Sequence, residues 1–168
     1  MEALDTFSRT FLPATALAKL PGRTVARHVQ VLRHCAGDRD AVAVVARCQT
    51  HTSRRNILML TRNRLVVTSE SRFLHRVHLH LNADLHQLAD VTWTPEPDRK
   101  GLQLGVTAID GIRENLWIHL TSATETWRLD EALKQAFRTP WGIIEPARPA
   151  THRPVTAATK PRTELRLA

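Results

Sequence analysis

The chain has 168 residues and carries 24 Lys plus Arg against 16 Asp plus Glu, for a formal net charge of +8. That length fits one domain with flexible ends, whose core needs no disulfides. No apolar run approaches the ~20 residues of a membrane span, Cys35 and Cys48 form no metal or redox motif, and Glu2 and Asp5 precede any apolar stretch, unlike a secretory signal; a soluble, cytoplasmic protein is expected.

Residues 1–40 read as helical, divided by Pro21-Gly22. The second helix is expected over about Arg23–Ala36, with Val25, Val29 and Leu32 on one stripe and Gly37 as its stop. A stripe that short, without an aromatic, fits packing on the domain better than lying on a membrane. Residues 41–138 then read as strands closed by one helix. Ala41–Gln49 is an apolar, β-rich run, and Asn56–Thr61 and Leu65–Ser69 flank the tight turn Arg62-Asn63-Arg64. Val77, Leu79 and Leu81 alternate with His78, His80 and Asn82, as in a half-buried strand. Val91 and Trp93 open a fifth strand that runs into Pro95-Glu96-Pro97-Asp98, and Leu102, Leu104, Val106 and Ala108 alternate through a sixth. Asp110-Gly111 turns the chain into a seventh, where Leu116, Ile118 and Leu120 share a face. The period then becomes helical at Leu129, Ala132, Leu133, Ala136 and Phe137, after the capping box Ser122-Ala123-Thr124-Glu125. Residues 139–168 hold five prolines and little apolar periodicity, the composition of a disordered tail.

Seven short strands followed by one capped amphipathic helix resemble the pleckstrin-homology-like (PH-like) superfold. The expected class is α+β, mainly β: a bent seven-strand barrel or sandwich closed by a C-terminal helix, with helices added at the N-terminus. The hairpin Leu58-Met59-Leu60-Thr61-Arg62-Asn63-Arg64-Leu65-Val66-Val67 and the turn Leu88-Ala89-Asp90-Val91 are similar to motifs of small bacterial PH-like domains. In that hairpin Thr61 and Asn63 favour the turn, Arg64 begins the strand in solvent, and Leu65 and Val67 enter the core. The resemblance covers about residues 41–138. It implies a non-catalytic module that binds a protein partner or an anionic phospholipid surface, and it implies no cofactor.

Charge is uneven along the chain. Arg47, Arg54, Arg55, Arg62, Arg64, Arg72 and Arg76 stand against Glu70 alone, a net of +6, whereas residues 77–138 carry −3. One basic edge is therefore expected. In some PH domains the loop between the first two strands holds inositol phosphates; here that loop is His51-Thr52-Ser53-Arg54-Arg55. The candidate anion-binding residues are Arg47, Arg54, Arg55, Arg62 and Arg64, because a guanidinium presents two parallel donors to a phosphate. Solubilisation alone is the competing explanation for these arginines. A peripheral position at the membrane is compatible with the edge.

No catalytic motif is present, neither G-x-S-x-G nor H-E-x-x-H nor a phosphate-cradling loop. Asp130-Glu131 reads as the solvated face of the last helix. His78 and His80 lie two apart on a strand, but the closed ligand set of a metal site is missing and none is assigned. Trp117 and Trp127 are expected in core or rim packing. Nucleic acid is the alternative partner, held through the arginines and the basic tail, although only Phe73 interleaves with residues 47–76.

Overall fold

The computed structural model describes residues 5–137; the tail expected beyond residue 138 lies outside them. The elements run α1 (Thr6–Leu17), α2 (Gly22–Ala36), β1 (Val42–Gln49), β2 (Asn56–Thr61), β3 (Arg64–Glu70), β4 (Val77–Asp84), β5 (Ala89–Glu96), β6 (Gly101–Thr107), β7 (Arg113–His119) and α3 (Ala123–Phe137). Local chemistry sets the boundaries. Asp5 accepts from the Ser8 N–H to start α1, and Gly37, at φ 75°, ends α2 in a conformation that side chains resist. In the β2–β3 turn, Thr61 Oγ1 accepts from the N–H groups of Asn63 and Arg64. Pro95, which cannot donate to a ladder, sits on the edge strand β5.

The strands form one antiparallel sheet in the order β4-β3-β2-β1-β7-β6-β5. With α3 following β7, this is the PH-like architecture that the element order implies. The inner face buries Leu58, Leu60, Leu65, Val67, Leu102, Leu104, Leu116 and Ile118, and α3 adds Leu129 and Leu133. Ser122 Oγ accepts from the Glu125 N–H, completing one arm of the expected capping box, while the Glu125 carboxylate pairs with Arg128.

A second core lies on the outer face. Phe7 and Phe11 of α1 and Leu32 of α2 pack against Val42, Val45, Ile57, Met59 and Val66. The α2 stripe therefore faces the sheet, and β2 is buried at every position. Its unbroken apolar run, rather than an alternating one, is the pattern of a strand covered on both sides.

Two expectations need correction. Val77, Leu79 and Leu81 do not share a buried face. Between Val67↔Leu81 and Thr68↔Leu79 the register skips a residue of β4, a bulge that turns Leu79 out and leaves it half-exposed. Asp130 is likewise not solvated. It is buried, accepting from Trp93 Nε1 at 2.9 Å and pairing with Lys134 at 2.6 Å, which ties α3 to β5.

Candidate functional site

The β1–β2 loop, the end of β3 and the side of α2 meet in a recess of about 280 Å³. Arg27 of α2, Arg47 of β1, and Arg54 and Arg55 of the loop line it, with Glu70 as its one acid. Alternation explains why Arg47 is there. Ala46 and Cys48 enter the inner core, so Arg47 emerges on the outer face beyond the helices. The loop is held by Thr50 Oγ1, which accepts from Ser53 N–H, and by Asn56 Nδ2, which donates to the Ser53 carbonyl at 2.9 Å.

Arg62 and Arg64 are elsewhere. Arg62 stands in the β2–β3 turn and Arg64 opens β3, at the far end of a six-residue strand, roughly 20 Å away at strand rise. Arg62 borders a groove against Ala132 and Ala136 of α3, and Arg64 pairs with Asp84 at 3.0 Å. The single basic edge read from the sequence is thus two groups, one at each end of β2.

Three of the four recess arginines lack a counter-charge. Arg27 bonds Glu70 at 2.5 Å, but Arg47, Arg54 and Arg55 have no carboxylate partner among the described residues. Arg33, Arg64, Arg99 and Arg128 are ion-paired, whereas Arg9, Arg23, Arg39, Arg62, Arg72, Arg76 and Arg113 also lack a carboxylate partner among the described residues, so it is the gathering of three around one recess that sets Arg47, Arg54 and Arg55 apart. Three unpaired guanidiniums around one concavity can take a phosphate or carboxylate through charge-assisted hydrogen bonds.

His28, which the sequence did not mark, forms the wall behind the recess. It is 1% exposed, with Nδ1 2.7 Å from Thr68 Oγ1 and Nε2 3.9 Å from a Glu70 oxygen. Its position between Val25 and Leu32 places it on the sheet-facing stripe, so helical spacing was the signal available. Burial pushes His28 below its ordinary value of 6.5, with Glu70 opposing and Arg27 assisting. Burial pushes the Glu70 carboxyl up, yet His75, Arg27 and His28 outweigh it and hold the carboxyl below its ordinary range.

The groups facing the imidazole are Arg27, Thr68 and Glu70, with His75 on the far side of that carboxylate. A histidine held low binds fewer protons folded than unfolded. Its contribution is complete above about 6.5 and is lost as pH falls toward the folded value, by at most ~1.4 kcal/mol per pH unit. Urea midpoints should therefore drop between pH 7.5 and pH 5.5, and the drop should shrink in His28→Gln. His119→Gln should shrink it as well, since burial and Arg47 also hold His119 low. An identical drop in the His28 variant would assign the acid response to other groups.

The remaining features are structural. Cys48 is buried in the inner core and its thiol is pushed up to about 12 by burial, which keeps it protonated and inert. Trp117 lies over Gly101 with the Arg99 guanidinium 4.6 Å from its ring centroid, whereas Trp127, expected in core or rim packing, is more than half exposed. His78 is exposed, and His80 pairs with Glu114 at 3.3 Å. Among the described residues no group of three or more His, Cys, Asp or Glu could hold a metal ion, and no helix is long and apolar enough to cross a membrane.

No protein-family model and no curated protein matches the sequence. Among solved structures, the DH/PH domains of PDZ-RhoGEF in complex with activated RhoA match 74% of this chain at 13% identity, with a TM-score of 0.44. Vav1 bound to an allosteric inhibitor matches 80% at 11% identity, with a TM-score of 0.42. The chain spans 36% and 38% of those two proteins.

Proposed function

We propose that this chain is a non-catalytic binding module of the bacterial PH-like type, whose arginine recess receives an anionic group from a phospholipid surface or a protein partner. Residues 41–138 supply the PH-like unit, and residues 1–40 add two helices, one of which contributes Arg27. The observation that carries the reading is the set Arg47, Arg54 and Arg55, gathered around one recess without a carboxylate partner among the described residues. Had these arginines served solubility alone, scattering or pairing with neighbouring acids would have sufficed.

The soluble probe is inositol hexakisphosphate, followed by calorimetry over a salt series. The wild-type chain should bind it, more weakly as salt rises. Arg54→Ala combined with Arg55→Ala should weaken binding by roughly tenfold or more, since each hydrogen bond to a charged group contributes about 1.5–3 kcal/mol before solvent screening. Arg62→Ala should leave it unchanged. Equal binding by the double variant, or an absence of binding by wild type, would reject the recess.

A further inference from the structure

Among the residues that line the arginine recess, Thr24 is the one that carries a hydroxyl. It lies three residues before Arg27 and four before His28, so helical spacing sets all three along the recess side of α2. The other hydroxyls close by are already committed. Thr50 Oγ1 accepts from Ser53 N–H, Ser53 Oγ accepts from Arg55 N–H, and Thr68 Oγ1 meets His28 Nδ1. Thr24 has no side-chain hydrogen bond among the described residues.

The segment that presents this hydroxyl is open to another protein. Lys19, Pro21, Gly22 and Arg23 are all exposed, and Thr24 itself is half-buried. Pro21 supplies no side-chain cap to α2, and its first turn holds no acid, so the turn that carries Thr24 is the part of the helix most free to fray. Lys19 and Arg23 give the approach a positive charge, the pattern that the acidic groove of a basophilic kinase selects.

A phosphate on this hydroxyl meets a matched set of donors. It brings a charge of about −1.5 to −2 and three strong acceptor oxygens. Arg27 is held by Glu70, which leaves the guanidiniums of Arg47, Arg54 and Arg55 to receive it. Being tethered, it competes for them at an effective concentration on the order of millimolar or above.

We propose that Thr24 is a phosphorylation site whose phosphate seats on Arg47, Arg54 and Arg55 and closes the recess to outside anions. The γ-phosphoryl group of a nucleoside triphosphate passes to Thr24 Oγ1. The new Oγ1–P bond forms as the bond from the γ-phosphorus to the β–γ bridging oxygen breaks, the nucleoside diphosphate leaves, and the hydroxyl proton is released. The proposal rests on the anion-binding reading of the recess and adds to it a covalent means of occupying the site from within.

The test uses the full chain, refolded after a synthetic segment 1–34, with or without phosphate on Thr24, is ligated to residues 35–168 through Cys35. The phosphorylated chain should bind inositol hexakisphosphate at least about tenfold more weakly than the unmodified one. Its thermal midpoint should rise by about 2 °C or more. Phosphorus NMR should place the second ionisation of the phosphate below its ordinary value near 6. Arg54→Ala with Arg55→Ala should abolish the rise and return the ionisation toward 6, which a substituent acting by size alone would not do. Incubating the unmodified chain with a basophilic serine/threonine kinase and ATP should put phosphate on Thr24, located by fragmentation mass spectrometry. Equal hexakisphosphate binding with and without the phosphate, an ionisation left near 6, or a Thr24 that the kinase leaves bare overturns the proposal while the recess reading stands. If the unmodified chain does not bind hexakisphosphate, the recess reading falls by itself. A lowered ionisation that depends on Arg54 and Arg55 then still supports Thr24 as the carrier of the anion that the recess holds.

Discussion

Phe11→Ala is expected to lower the unfolding free energy by about 3–5 kcal/mol, as loss of a fully buried aromatic does elsewhere. Phe11 is on the first helix, outside the strands that define the fold, yet it is 2% exposed and stacks on Phe7 with ring centroids 4.9 Å apart. Both rings fill the outer core against β1 and β2. The same helix is fastened by Thr10 Oγ1, which accepts from Val42 N–H, and by the ion pair of Asp5 with Arg33. Urea denaturation followed by far-ultraviolet dichroism and by tryptophan emission should show one shifted transition in both signals. If only part of the helical signal were lost early while the sheet unfolded at the wild-type midpoint, the helices would be an appendage and the shared core would be wrong.

Gly101→Ala should cost about 1–3 kcal/mol, the usual penalty for overfilling a packed site. A Cβ there would stand 2.2, 2.7 and 2.8 Å from three ring atoms of Trp117. The neighbouring strand fixes the indole backbone at Trp117↔Gln103, so the ring itself must swing away. Moving it also breaks the stack with Arg99. The midpoint of thermal unfolding should fall by roughly 2–12 °C. Combining Gly101→Ala with Trp117→Ala should cost no more than Trp117→Ala alone, because the obstacle is then gone. Additive costs in that cycle would show that something other than the ring sets the penalty.

The succession of seven strands and the closing helix were legible because each rests on short-range periodicity. Alternation at Leu102, Leu104 and Val106, and the i, i+4 pair Leu129 and Leu133, fall where they were expected. The β4 bulge was hidden because Val77, Leu79 and Leu81 alternate without a break in sequence, and only pairing with Thr68 and Val67 reveals the skipped residue. Asp130 was misread because its partner, Trp93, is 37 residues away. The arginines were legible as a cluster in sequence but not in space. A two-residue turn and a six-residue strand separate Arg55 from Arg64, enough to carry them to opposite ends of β2. Arg27 and His28 come from a helix whose docking face the strand pattern does not encode.

The double coverage of β2 has a cost in specification. On a sheet with one wet face, sliding a strand by one residue sends its apolar side chains into water, and that penalty fixes the alignment. Along Ile57-Leu58-Met59-Leu60 the same slip would exchange one apolar compartment for the other. Alignment then falls to the buried polar residues at the two ends of the strand. Asn56 is tethered to the Ser53 carbonyl, and Thr61 donates to Asp40 while accepting from Arg64 N–H. Of these bonds the one to Asp40 reaches farthest along the chain, and a slip would break it, so Thr61 acts as the registration pin for the central strand.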